Sequence, residues 1–469
     1  MRATYRKGLA AIAVLSLVMA ACAQEAETTT TTAAATPDTT VAATPDTTAA
    51  ATPDTTMEDM TIATDIGVTE EPCPGGNPDR GCIYLGVLTD ESGPFQAAAP
   101  ALYGAQQLFW GTVNAGDGIG GAYDVALPED LKKDTAYQPD KFVADYNQIA
   151  GDVAAIAQSL GTSQSIAAIP DYERDNTVAA PMSWWSGWSF EDNIIEFGTN
   201  YCFEAMNAID WATGAFPAAD RELNTIGILA IPNDYGLDYG AGVKIAAEAH
   251  GLEIIWEQAV IPASAGGDPT QTEAVAKVAG EAPDLVILVV GPSETAAIVG
   301  GVAQQMGATA PLFIGAAPSW NSALLASAAA PAFQAGIFFQ SSFVPGWDTD
   351  SVGHQKMRAA VDSIGQDPND FWISGWVSQY GLKAALDGAY ANGDLTKAGI
   401  VAAALALETV DYEGMMPERS FAGDPNDVFP RESVMGAYSP DASTGIATVQ
   451  DFFVGPTAAA FEFTAACGG

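Results

Sequence analysis

In Ala180-Pro-Met-Ser-Trp-Trp-Ser-Gly-Trp188, three indoles fall within five residues, set among Ser183, Ser186 and Gly187. The chemistry this offers is recognition. Indole faces stack on apolar or aromatic solutes, and indole N–H groups and hydroxyls orient them. A core position absorbs one tryptophan, but adjacent loop tryptophans cannot easily all point inward, so this stretch either lines a wall or packs at some cost. A second stretch, Gly161-Thr-Ser-Gln-Ser165, reads as a strand-to-helix junction. Unpaired backbone N–H groups and the positive end of a helix dipole at such a junction suit a carboxylate or carbonyl oxygen. Its serines either add hydrogen bonds to a ligand or only cap the helix.

Catalytic chemistry finds little footing. The chain has only His250 and His354, no nucleophile elbow and no close cysteine cluster, so neither an enzyme nor a metal site is expected. His250 stands before Gly251 at the end of an expected helix, which is ordinary C-terminal capping. His354 sits in a polar stretch and reads as solvated. Gly116-Asp-Gly-Ile-Gly-Gly121 spells a G-x-G-x-x-G, but it follows a helix and precedes a strand, the reverse of the dinucleotide context. It reads as a helix-ending turn, and no cofactor is expected.

The positioning elements alternate. Ile83–Leu88, Val153–Ala157, Thr225–Ile231, Leu252–Trp256, Leu285–Val290 and Leu312–Ile314 are short apolar runs, each followed by a loop and a helical pattern. Continuous apolar strands alternating with helices argue for α/β doubly wound parallel sheets, which bind ligands at the carboxyl ends of their strands.

The ends and the charge set the compartment. Arg2, Arg6 and Lys7 precede an apolar run from Leu9 to Ala21, too short for a membrane span and suited to a signal peptide over 1–21. Val18-Met-Ala-Ala-Cys22 resembles a bacterial lipobox with Met19 for the usual leucine, which implies lipid on Cys22 and membrane anchoring; plain secretion is the alternative. Residues 22–72 open with repeated Ala-Thr-Pro-Asp-Thr-Thr units, lack apolar bulk and read as a Thr/Ala/Pro-rich disordered stalk. The net charge is −41, from 17 basic and 58 acidic residues, which excludes nucleic acid as a partner and reads as solubility. With Cys22 set aside, four cysteines remain in an oxidising compartment. Cys73 and Cys82 flank a turn-rich loop they could close, leaving Cys202 and Cys467 to each other; metal binding is the weaker alternative.

Ile83-Tyr-Leu-Gly-Val-Leu-Thr-Asp-Glu-Ser-Gly-Pro-Phe95, Gly104-Ala105, Val113-Asn-Ala, Gly118-Ile-Gly-Gly121, Asp234-Tyr-Gly236, Gln305-Met-Gly307 and Trp376–Leu386 together resemble, in order, the leucine/isoleucine/valine-binding family of ABC transporter substrate-binding proteins. The resemblance implies a type 1 periplasmic-binding protein fold: two doubly wound parallel-sheet lobes joined by three crossover segments. The crossings would lie near Gly198, near Phe343 and between about Phe421 and Pro430. Lobe 1 would comprise 82–198 plus 344–425, and lobe 2 would comprise 199–343 plus 426–469. It further implies a monomeric extracytoplasmic receptor that closes on a small-molecule solute and delivers it to ABC permease subunits; a sensor of the same fold is the alternative.

The resemblance also carries roles to residues. Ser163 or Ser165 would hold a ligand carboxylate, and Ser183, Trp184 and Trp185 would lie on the second ligand loop. Trp188 would pack against the lobe. Tyr235 would face the ligand from the other lobe, with Phe95, Trp320 and Trp376 as further candidates by position. The departure lies at Gly315-Ala-Ala-Pro-Ser-Trp-Asn321, which lacks the acid that pairs with a ligand ammonium in amino-acid binders. Either another acid substitutes or the ligand has no ammonium, since a buried unpaired ammonium is costly.

Overall fold

The computed structural model describes residues 61–468. The expected signal peptide, Cys22 and most of the expected stalk lie outside the described residues. From Thr61 on, however, the expected stalk is already part of the fold. Ala63–Thr64 pairs in parallel with Asp394–Leu395, and Val68–Thr69 pairs antiparallel with Gly81–Thr89. Between them Gly67, at φ 81°, runs so close to the Val153–Ala154 backbone that only glycine fits.

Two sheets organise the chain. Gly81–Thr89 is the axis of the first. Parallel to it run Tyr123–Ala126, Lys132–Asp134 and Ala155–Leu160, and Val178–Met182 extends the sheet beyond Ala155–Leu160. The second sheet has seven strands. Its five parallel strands are Glu253–Ala259, Thr225–Ala230, Leu285–Val289, Leu312–Gly315 and Phe338–Ser342. Ser433–Tyr438 and Ile446–Phe453 then complete one edge as antiparallel strands. Leu285–Val289 is buried along its whole length, as a strand covered by helices on both faces must be.

The chain passes between the sheets three times: after Val178–Met182, after Phe338–Ser342 and before Ser433–Tyr438. The middle passage returns the chain to the first lobe, where Asp370–Val377 packs on the helix Ala99–Ala115. This is the type 1 periplasmic-binding architecture. Cys73 is bonded to Cys82, and Cys202 to Cys467. Gly116 caps Ala99–Ala115, and the glycines after it form a turn at positive φ, with no helix opening behind them. Among the described residues no helix is long and apolar enough to cross a membrane.

Candidate functional site

Strand ends from both sheets open onto one cavity. From the first sheet come Leu160 and Gly161, Met182 to Trp184, and Phe95. Ala317, Pro318, Trp320, Gln340, Ser342 and Phe343 face them from the second. The floor is made by Val344–Gly346, by Asp370, Phe371, Ile373 and Ser374 on a first-lobe helix, and by Val434, Gly436, Ile446 and Thr448 of the terminal strands. The lining is mainly apolar and aromatic, contains no Lys, Arg or His, and holds one carboxyl group, that of Asp370.

The three clustered tryptophans separate into different jobs. Trp184 lines the cavity and stacks on Phe343 with ring centroids 4.1 Å apart, edge-on to Phe197 at 5.3 Å. It therefore rests on two of the chain segments that pass between the lobes. Trp185 is not among the lining residues; its ring stands edge-on to Trp188 at 5.1 Å and covers Gly187. Trp188 is fully buried in the first lobe and donates from Nε1 to the Ser183 carbonyl at 3.1 Å.

Phe95, Ser183, Trp184 and Trp320 line the cavity together, while the other candidates do not. Ser163 Oγ donates to Asp234 Oδ2 at 2.5 Å, bridging helix starts of the two lobes. Ser165 turns into the first lobe, where its Oγ pairs with Ser159 Oγ at 2.7 Å. Tyr235 is buried behind the wall, 4.6 Å from the Tyr201 ring and 6.5 Å from the Phe95 ring. Trp376 belongs to the first-lobe core, edge-on to Phe109, with Nε1 donating to Tyr380 Oη at 3.2 Å.

Four lining residues carry enclosed polar atoms without a protein partner: Ser183 Oγ, Trp184 Nε1, Trp320 Nε1 and Asp370 Oδ2. Buried polar atoms are nearly always paired; these four are sealed in this arrangement, and the Trp320 indole N–H is directed at the Asp370 carboxyl. Asp370 reaches the surface in part, yet its Oδ2 is sealed. Its Oδ1 accepts from Thr444 Oγ1 at 2.9 Å, and burial raises its pKa to about 7. Sequence reasoning missed Asp370, Tyr137 and Tyr201. Tyr137 is itself held in a left-handed turn, at φ 56° after Ala136 at φ 52°, which no side-chain pattern announces.

Other ionisable groups lie outside the cavity. Glu204, behind Ala317, accepts from Ala317 N at 2.8 Å and Ser341 Oγ at 2.6 Å, and burial raises its pKa to about 7. Asp238 is buried on the helix Asp234–His250, its pKa raised to about 6 by burial. His354, expected in solvent, is instead buried on the inner face of Val352–Ser363 beside its capping Ser351, and burial lowers its pKa to about 4. His250 Nε2 pairs with Asp210 Oδ1 at 2.5 Å. Among the described residues no cluster of three metal-ligating side chains occurs.

The model of a family described as periplasmic binding protein matches residues 82–432. No curated protein matches the chain. Among solved structures, the chain is similar to a fatty acid ABC transporter substrate-binding protein from Thermomonospora curvata, with TM-score 0.75 and 24% identity over 86% of this chain and 97% of that one. It is similar to a branched-chain amino acid ABC transporter protein from Thermus thermophilus with bound valine, with TM-score 0.65 and 14% identity over 81% and 98%. It is also similar to a solute-binding protein from R. palustris in complex with 4-hydroxybenzoate, with TM-score 0.63 and 12% identity over 80% and 98%. At these identities the likeness establishes the fold.

Proposed function

The chain belongs to the periplasmic binding protein family, whose members are extracytoplasmic solute-binding proteins and not enzymes, and we propose that it is the receptor of an ABC importer. In this reading it closes on a small amino-acid-like, amide, carboxylate or aromatic solute and hands it to a membrane permease. The observation that carries the reading is the cavity itself, shared by strand ends of both sheets and aromatic in its walls. A solute that touches both lobes binds their closed arrangement better than the open one, so binding and closure are one equilibrium. Valine and 4-hydroxybenzoate, bound by proteins of the same fold, illustrate the range of such solutes.

Within this reading the lobes are 82–198 plus 344–425 and 199–343 plus 426–469, and the monomer is held at the membrane by lipid on Cys22. The lipobox-like Val18–Cys22 and the preceding basic and apolar residues support the anchor. Ser163 belongs to closure in this reading, Ser183 and Trp184 to solute contact.

A thermal-shift screen of the purified protein against amino acids, amides, carboxylates and aromatics tests the receptor reading, because a solute selective for the folded state raises Tm. A hit that also shifts tryptophan fluorescence is the expected result. A complete library with no stabilising compound would remove the reading. Loss of labelling by a radioactive fatty acid in Cys22→Ser is the expected outcome for the anchor.

A further inference from the structure

We propose that the cavity takes an uncharged, largely apolar solute bearing at most a hydroxyl or amide group, because the charged groups at its border are engaged by the opposite lobe. The inference rests on the receptor reading and narrows its solute class.

Three pairings across the seam carry it. The Asp370 carboxyl, on the helix packed against Ala99–Ala115, meets two groups that come from the second sheet. Thr444 Oγ1 donates to its Oδ1 at 2.9 Å, and the Trp320 indole N–H is directed at the same carboxyl. Its Oδ2 is sealed, so the one carboxyl group of the lining is taken up in joining the lobes. At the start of the helix Thr162–Asp175, where the backbone dipole favours an anion, a second-lobe carboxylate already stands: Ser163 Oγ donates to Asp234 Oδ2 at 2.5 Å. Beside it, Asn233 Nδ2 of the second lobe donates to Tyr137 Oη of the first at 3.5 Å.

What the cavity keeps for a solute is neutral. Among the described residues its lining has no Lys, Arg or His. Leu160, Met182, Phe371 and Ile446 supply apolar surface, while Ser342 and Thr448 supply uncharged dipoles. Ser342 Oγ accepts from Val344 N at 3.3 Å and Thr448 Oγ1 from Gly346 N at 3.1 Å, so each hydroxyl still has its own proton to donate to a solute oxygen. A carboxylate or an ammonium entering this space gives up its hydration without gaining a countercharge, whereas an alcohol or amide gives up far less and buries its hydrocarbon part favourably. The missing acid at 315–321 then needs no substitute, because the solute brings no ammonium.

Two matched series decide the matter, titrated into the full-length protein by calorimetry at neutral pH. One is 3-phenylpropan-1-ol, 3-phenylpropionate and 3-phenylpropylamine; the other is 1-octanol, octanoate and octylamine. The expected result is binding of the alcohol in at least one series, about tenfold or more tighter than either charged member of that series. A charged member that matches or exceeds its alcohol overturns the inference and leaves the receptor reading standing. If neither series binds, the strongest stabiliser in the thermal-shift screen decides: an uncharged compound sustains the inference, and a carboxylate, amine or amino acid overturns it alone. If nothing raises Tm, the inference and the receptor reading fall together.

Discussion

Ser186 and Asp238 join the lobes: Ser186 N donates to Asp238 Oδ2 at 2.8 Å and Ser186 Oγ donates to Oδ1. The C-terminal tail closes over the pair, with Cys467 N donating to Ser186 Oγ at 2.7 Å and Gly468 N to Asp238 Oδ1 at 3.3 Å. The Cys202–Cys467 disulfide pins that tail to the helix Tyr201–Ala218. The closed arrangement thus has a clasp of its own, outside the solute cavity.

Ser186→Ala removes a donor from a buried carboxylate, a loss of about 1–3 kcal/mol from the closed state. Solute affinity is expected to fall on the order of tenfold, read as Kd from a fluorescence titration. An unchanged Kd would show that the clasp does not contribute to closure.

Trp184 and Trp185 are adjacent, but only Trp184 lines the cavity. Trp184→Ala is expected to weaken solute binding at least tenfold and to destabilise the fold by about 3–5 kcal/mol, because its stack on Phe343 is lost as well. Trp185→Ala should leave Kd within about twofold, since its edge-on partner Trp188 keeps the loop in place. Parallel titrations of the two variants check the pair, and equal losses would contradict the assignment.

Gly198 sits at φ 69°, and a Cβ there would lie 2.8 Å from the Phe343 side chain. Gly198→Ala therefore combines backbone strain with a clash where two passages between the lobes touch, at a cost of about 1–3 kcal/mol. The expected outcome is a lower Tm and a solute-induced change in small-angle scattering that is smaller than in the parent. A Tm at the parent value would show that the segment relaxes freely.

Glu204 has its pKa raised from 4.5 to about 7 by burial. An acid raised in the folded state binds more protons folded than unfolded, so its contribution to stability declines as pH rises from 4.5 to about 7. Glu204→Gln, which keeps one oxygen to accept from Ala317 N and Ser341 Oγ, should gain up to about 3 kcal/mol above pH 7 and nothing below pH 4.5. Urea unfolding at pH 4.5 and pH 8 reads the difference. A variant less stable at pH 8 than the parent would reverse the sign and refute the account.

The strands were legible because burial on both faces forces continuous apolar runs such as Leu285–Val289. The order of motifs from Ile83 to Leu386 carried the two-lobed architecture. Side-chain direction was not legible, since Trp184 and Trp185 differ by one backbone step that composition does not register. Asp370 escaped for another reason. An acid in the first turn of a helix, after the capping Asn369, looks like routine dipole complementation. Only the return of the chain to the first lobe after Phe338–Ser342 brings it to the cavity. His354 misled because polar neighbours in sequence say nothing about which face of Val352–Ser363 it occupies.

The second sheet is finished late. Ser433–Tyr438 and Ile446–Phe453 lie against Phe338–Ser342, so a growing chain holds Phe338 and Phe339 on an open border until its final stretch has emerged. A protein truncated near residue 430 would carry that bare, sticky border permanently, and would be expected to pair with copies of itself and precipitate.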